Sequence, residues 1–211
     1  MKILRRWKWR LGLGIVIAGI LASWLVVHIR RLNEPSYQGR RLTEWLGDCS
    51  VYPSSGIGEI PRAFNPNVPA TSHAVKEIGT NAIPVLLDML QAGDAAVELK
   101  IKLNGLLERQ SIIHFRFRHG CDYRNLAVFG FEILNSEAAP AVAALVHLLH
   151  TEDPMARIDV IYALGKIGPA AKDAVPDLLT HLNDEHANVR NAVTNVLKQI
   201  DPEAAAKAGI R

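Results

Sequence analysis

Apolar side chains recur at steps of three and four through the second half of the chain, and the whole pattern then repeats. Between positions 154 and 167, Val160, Ile161, Leu164 and Ile167 fall on one helical face, the spacing of an amphipathic helix with a single buried stripe. The stripe returns at a constant interval, as Ala127, Val160 and Val193, then Phe131, Leu164 and Leu197, then Leu134, Ile167 and Ile200. A second stripe keeps the interval: Ala141-Val142 matches Ala174-Val175, Leu145 matches Leu178, and Leu149 matches Leu182. An unvarying period of this order predicts helix pairs that bury their apolar faces only on neighbouring pairs. The fold class read from the pattern is all-α, a solenoid of antiparallel helix pairs.

The repeats predict helices over Asp122 to Leu134, Glu137 to Leu149, Pro154 to Ile167, Lys172 to Leu182 and Ala187 to Ile200. Upstream, Ala74, Val75 and Ile78 mark a helix, Gly79-Thr80-Asn81 a break, and Ile83, Leu86, Leu87 and Leu90 a facing helix with Pro84 in its first turn, where proline is tolerated. Leu90 lies less than two full intervals before its equivalent Leu149, which reads as one regular unit plus a shortened one. The shortened unit is expected to hold a helix from about Ala95 to Glu108 and an irregular second half. After Pro202, Glu203 to Lys207 read as a short polar helix closing the end of the stack.

The N-terminal pattern differs. Leu11 to Ile29 is an uninterrupted uncharged run, long enough to cross a bilayer as a helix, with Trp7, Trp9 and Trp24 towards its ends. The run continues through Trp24 to Val27 beyond the small residues Ala22-Ser23, which favours an uncleaved anchor over a signal peptide. Lys2, Arg5, Arg6, Lys8 and Arg10 precede it; Arg30, Arg31, Arg40 and Arg41 follow. The balance places the N-terminus inside, giving a single-pass inner-membrane protein with a periplasmic repeat domain. The expected organisation is a basic tail over 1–10, a membrane helix over 11–29, a linker over 30–70, repeats over 71–202 and a tail over 203–211. The linker is rich in Pro, Gly, Ser and Asn. Within it, Tyr37 to Leu46 places Leu42, Trp45 and Leu46 at helical spacing; this short amphipathic helix either caps the first repeat or rests on a membrane surface.

Composition sharpens this only slightly. Hydrophobic residues make up 49% and aromatics 6%, so aliphatic side chains must fill the core. The net charge of +3 is concentrated in the tail and does not point to nucleic acid. Cys49 and Cys121 lack metal-ligand spacing; pairing with each other and separate burial both remain open.

Candidate chemistry is sparse. Arg124, Arg157 and Arg190 recur at the repeat interval near Asp122, Asp153, Asp184 and Glu185, and are read as a structural ladder between units, the alternative being a grip on acidic partners. His114 to His119 alternates basic and aromatic residues; Phe115, Arg116, Phe117, Arg118 and His119 are the candidate partner-binding patch, set against a reading in which the phenylalanines cover core. His147, His150, His181 and His186 do not occupy coincident repeat positions, so no metal site is assigned. Ser54 to Gly58 lacks the third glycine and lysine of a phosphate loop. No nucleophile elbow, paired-cysteine motif or zinc-protease signature occurs, so no catalytic residue and no cofactor is assigned.

Val160 to Gly168, Ala174 to Leu179 and Asn188 to Val193 together resemble HEAT repeats, of the short bacterial type also found in phycobilin-lyase-like proteins. With the N-terminal run and the Tyr37 to Leu46 island, the chain resembles membrane-anchored bacterial HEAT-repeat proteins. The resemblance implies a protein-binding scaffold and does not by itself imply an activity. It leaves open a lyase-like accessory factor holding a chromophore or small ligand in the groove, and a nucleic-acid binder, which would require a cytoplasmic domain.

Overall fold

The computed structural model describes residues 34–48, 69–91 and 120–210, with side chains from 123 onward in the last of these segments. The expected membrane helix at Leu11 to Ile29, the helix at Ala95 to Glu108 and the patch at Phe115 to His119 lie outside the described residues. Ser36 to the C-terminus forms one compact unit.

That unit begins with a two-stranded antiparallel ribbon, β1 (Ser36–Tyr37) and β2 (Arg40–Arg41), in register Ser36 to Arg41 and Tyr37 to Arg40. The two residues between them, Gln38 and Gly39, have φ of 50° and 74°. This is the left-handed geometry of a tight hairpin turn whose twist matches the strands. The ribbon corrects the sequence reading, which continues a helix back to Tyr37; the helix α1 spans only Leu42–Gly47. Its start is marked by Glu44, whose carboxylate accepts from the Arg41 amide at 3.4 Å.

The stack follows: α2 (Pro69–Ile78), α3 (Ile83–Leu90), α4 (Gly120–Leu134), α5 (Val142–Leu148), α6 (Pro154–Ile167), α7 (Val175–Thr180), α8 (Ala187–Ile200) and a terminal α9 (Pro202–Lys207). The first helices α4, α6 and α8 pack in sequence against one another. The middle helix, α6, is buried on two sides, with Ile158, Val160, Ile161, Ala163, Leu164, Gly165 and Ile167 all in the core. In α8 burial is one-sided: Val189, Ala192, Val193, Val196, Leu197 and Ile200 face inward, while Asn188, Asn191, Asn195 and Gln199 are exposed. A terminal unit needs such a polar outer face because no neighbour covers it.

Each second helix starts as a tighter 3-10 turn, at Gly79–Ala82, Asn135–Ala141 and Gly168–Ala174. This corrects the later two, which the sequence reading makes continuous α-helices from Glu137 and Lys172. Each turn opens on a residue of positive φ, Gly79, Asn135 or Gly168, at 59°, 50° and 70°, backbone that glycine and asparagine adopt at least cost. Pro140 and Pro169 then withhold amide donors from the turn.

Helix α3 packs directly on α4 among the described residues. The pair 69–91 thus stacks on the pair 120–149, and the expected shortened unit lies outside the described residues. The contact is close. A Cβ built on Gly130 of α4 would lie 2.5 Å from Leu86 Cδ2. Between α6 and α8 the same device recurs, with a Cβ on Gly165 falling 2.8 Å from Val196 Cγ2.

Tyr123–Leu148 is long and apolar enough by composition to cross a membrane. It is not one rod: the 3-10 turn from Asn135 divides it, and Leu126, Phe129, Phe131, Leu134, Val142 and Leu145 are spent on the core.

Candidate functional site

The most developed polar architecture lies at the joints between helix pairs, where the periodic arginines sit. Arg124 on α4 is 2% exposed. Its Nε lies 2.8 Å from Asp159 Oδ2 and its Nη1 3.6 Å from Asp153 Oδ2, both on the next unit. Arg157 on α6 is 8% exposed; its Nε is 3.0 Å from Asp184 Oδ2, again one unit on, and its Nη1 donates to the Thr151 carbonyl of its own loop. Arg190 repeats only the second half of this arrangement. Its Nη1 donates to the carbonyls of Asp184 at 2.7 Å and Glu185 at 3.0 Å, and Asp184 stands one repeat interval after Thr151.

Each internal arginine therefore joins units by a carboxylate ahead, and Arg157 and Arg190 also fasten the loop just before their own helix. Arginine suits this work because its fixed fork of donors serves several acceptors at once. With Arg124 and Arg157 buried and paired, neither guanidinium offers a free face to an acidic partner. Asp159 carries no signal in the sequence because it sits inside α6 in no repeated position: one interval later the chain has Ala192.

Asp184 is the hub of the last joint. Besides Arg157, it meets the His186 amide at 2.9 Å, His181 Nδ1 at 3.4 Å and His186 Nδ1 at 3.4 Å. Burial pushes its carboxyl pKa up, but the His186 amide, the Arg157 charge and the His181 ring outweigh burial and hold it below the ordinary value of 3.8.

The second candidate is the N-terminal cap. Leu42 and Leu46 are fully buried, with Trp45 at their side, and α1 packs on α2 and α4. The Thr71 hydroxyl donates to the Trp45 carbonyl at 3.1 Å, and Trp45 Nε1 donates to the Tyr37 carbonyl at 3.2 Å. The Arg40 guanidinium lies 4.1 Å over the Trp45 ring and its Nη2 2.6 Å from Asp48. The apolar face of α1 is thus consumed by the stack and is not available to a membrane surface.

The remaining surface is that of the second helices. Pro84 and Asp88 on α3, Ala143, Ala144 and His147 on α5, and Pro176 and Thr180 on α7 are exposed at successive units. Small, uncharged side chains predominate, so backbone and side chains of a partner can approach closely.

Residues 122–197 match the family model for HEAT repeats. The matched segment runs from α4 to α8 and contains all three ladder arginines. Outside it, the first helix pair and its cap extend the same stack by packing on α4. No curated protein matches the chain. HEAT repeats commonly mediate protein–protein interaction, and here Arg124 and Arg157 with their carboxylate partners join consecutive units. Among the described residues no group of three or more His, Cys, Asp or Glu has the geometry to hold a metal ion.

Proposed function

We propose that the protein is a membrane-anchored HEAT-repeat scaffold that holds another protein at the membrane, outside the cytoplasm. The observation that carries the reading is the division of labour within the stack. Arg124 and Arg157 at the joints are buried in inter-unit pairs, while the second helices expose mainly small side chains, Pro84, Ala143, Ala144, Pro176 and Thr180, with Asp88 among them. A surface of this kind recognises shape and main chain rather than a small ionic ligand. Anchoring rests on the apolar run Leu11 to Ile29, and orientation on the basic residues before it. Phe115 to His119, which lie outside the described residues, are proposed as a further contact patch on the strength of their alternating basic and aromatic side chains.

Two experiments test the reading. A photo-crosslinking residue at Ala144 or Thr180 in the membrane-embedded full-length chain should capture one reproducible protein partner, and the same residue at Asn195 on the polar end should not. Equal capture at both places would contradict the assignment of the surface. A C-terminal reporter active only outside the cytoplasm should be active; a reporter active only inside would reverse the topology.

A further inference from the structure

Two histidines that the repeat offset keeps out of register are brought together by the stack. His150 follows α5 in the connection to α6, and His181 follows α7 one unit later. Their separation along the chain falls short of the repeat interval, yet their ring centroids lie 6.4 Å from one another with planes inclined at 46°.

The His181 ring is oriented from one side. Its Nδ1 faces Asp184 Oδ2 at 3.4 Å, and a carboxylate can only accept, so the neutral ring carries its proton on Nδ1 and keeps the Nε2 lone pair. Asp184 is fixed in turn by Arg157 Nε at 3.0 Å and the His186 amide at 2.9 Å. Its charge is balanced by that guanidinium, and His186 Nδ1 stands 3.4 Å from its other oxygen. His181 Nε2 is buried with no hydrogen-bond partner, and a buried ring nitrogen is ordinarily satisfied. An imidazole held by a carboxylate at one nitrogen, with the other left as a lone pair, is the arrangement in which histidines bind metal ions.

We propose that His150 and His181 bind a divalent transition-metal cation across the joint between two helix pairs, with Asp184 orienting His181. The protein supplies two ligands and water completes the coordination. Imidazole donors suit zinc, nickel and copper rather than magnesium or calcium. Nitrogens about 2.0–2.1 Å from a shared tetrahedral ion place ring centroids about 5 Å apart, so His150 has roughly 1 Å to close. It is exposed, and rotation about its side-chain bonds provides this. An ion so bound ties the loops of consecutive units together and, binding only the folded stack, raises its thermal stability.

The test is calorimetric titration of the full-length chain in detergent with zinc chloride, alongside thermal melts with and without zinc. One saturable site and a raised melting temperature are expected, with His150→Gln and His181→Gln each weakening zinc by more than about tenfold and abolishing the rise. His73→Gln, on another unit beside Glu77 at 3.8 Å, should leave both unchanged, and magnesium chloride should produce neither. Because His150 is exposed, His150→Gln folds and decides the matter even where His181→Gln does not. Zinc affinity unaffected by His150→Gln, or no saturable binding at millimolar zinc, overturns the proposal.

Discussion

Arg157 reaches out of its own helix pair to Asp184 in the next, Nε to Oδ2 at 3.0 Å, with both side chains less than a tenth exposed. A pair this buried is expensive to break from one side, because the survivor keeps the desolvation penalty without its counter-charge. Arg157→Met or Asp184→Leu should each destabilise the domain by about 3–5 kcal/mol. The double variant should lose clearly less than the sum, since it leaves no orphaned charge. Denaturant unfolding of the four proteins measures the coupling; strict additivity would mean that the two residues act independently.

The same carboxylate predicts an acid limit. With its folded-state pKa below 3.8, Asp184 binds a proton less readily in the folded than in the unfolded chain. Its contribution is complete above the unfolded carboxylate range and is lost as pH falls through that range towards the folded value. Unfolding followed from neutral pH into acid should therefore show a stability loss that Asp184→Asn reduces, the variant being weaker at neutral pH and less pH-dependent below it. A variant with the unchanged acid slope would refute the assignment.

Gly165 is a spacing device. A methyl there would meet Val196 Cγ2 at 2.8 Å, and valine has little rotamer freedom in a helix. Overpacking of about 1–3 kcal/mol should outweigh the roughly 1 kcal/mol that alanine gains over glycine in a helix. Gly165→Ala is thus expected to lower the melting temperature, and Val196→Ala added to it to be less costly than on its own. At Gly130 the clashing atom is the end of Leu86, a more adaptable side chain, so Gly130→Ala should be the milder change.

The cap can be loosened without touching the repeats. Leu46 is fully buried, and Leu46→Ala should cost about 2–5 kcal/mol. The loss should appear first as faster amide exchange in α2, which α1 covers, and only later in α6 and α8. Uniform acceleration along the stack would show that the cap is part of one cooperative unit.

Legibility in the sequence follows how local each determinant is. The helical stripe places α6 and α8 at Pro154–Ile167 and Ala187–Ile200 as found, because a proline start or a β-extended residue at one end and a turn at the other bound each stripe. The second helices read as too regular, since a 3-10 turn followed by an α-helix keeps nearly the same apolar spacing. The Gln38-Gly39 turn is masked in the sequence by the helical spacing of Leu42, Trp45 and Leu46 directly after it.

By itself the sequence determined the periodic helix pairs, the arginine at each joint and the short polar helix after Pro202, because each of these is written in local spacing and its repetition along the chain. Only the tertiary structure decided that α3 lies directly on α4, that Arg124 takes Asp159, and that His150 meets His181. Those relationships depend on how far one layer is offset from the next, a quantity set by side-chain packing at Gly130 and Gly165 and invisible to a count along the chain.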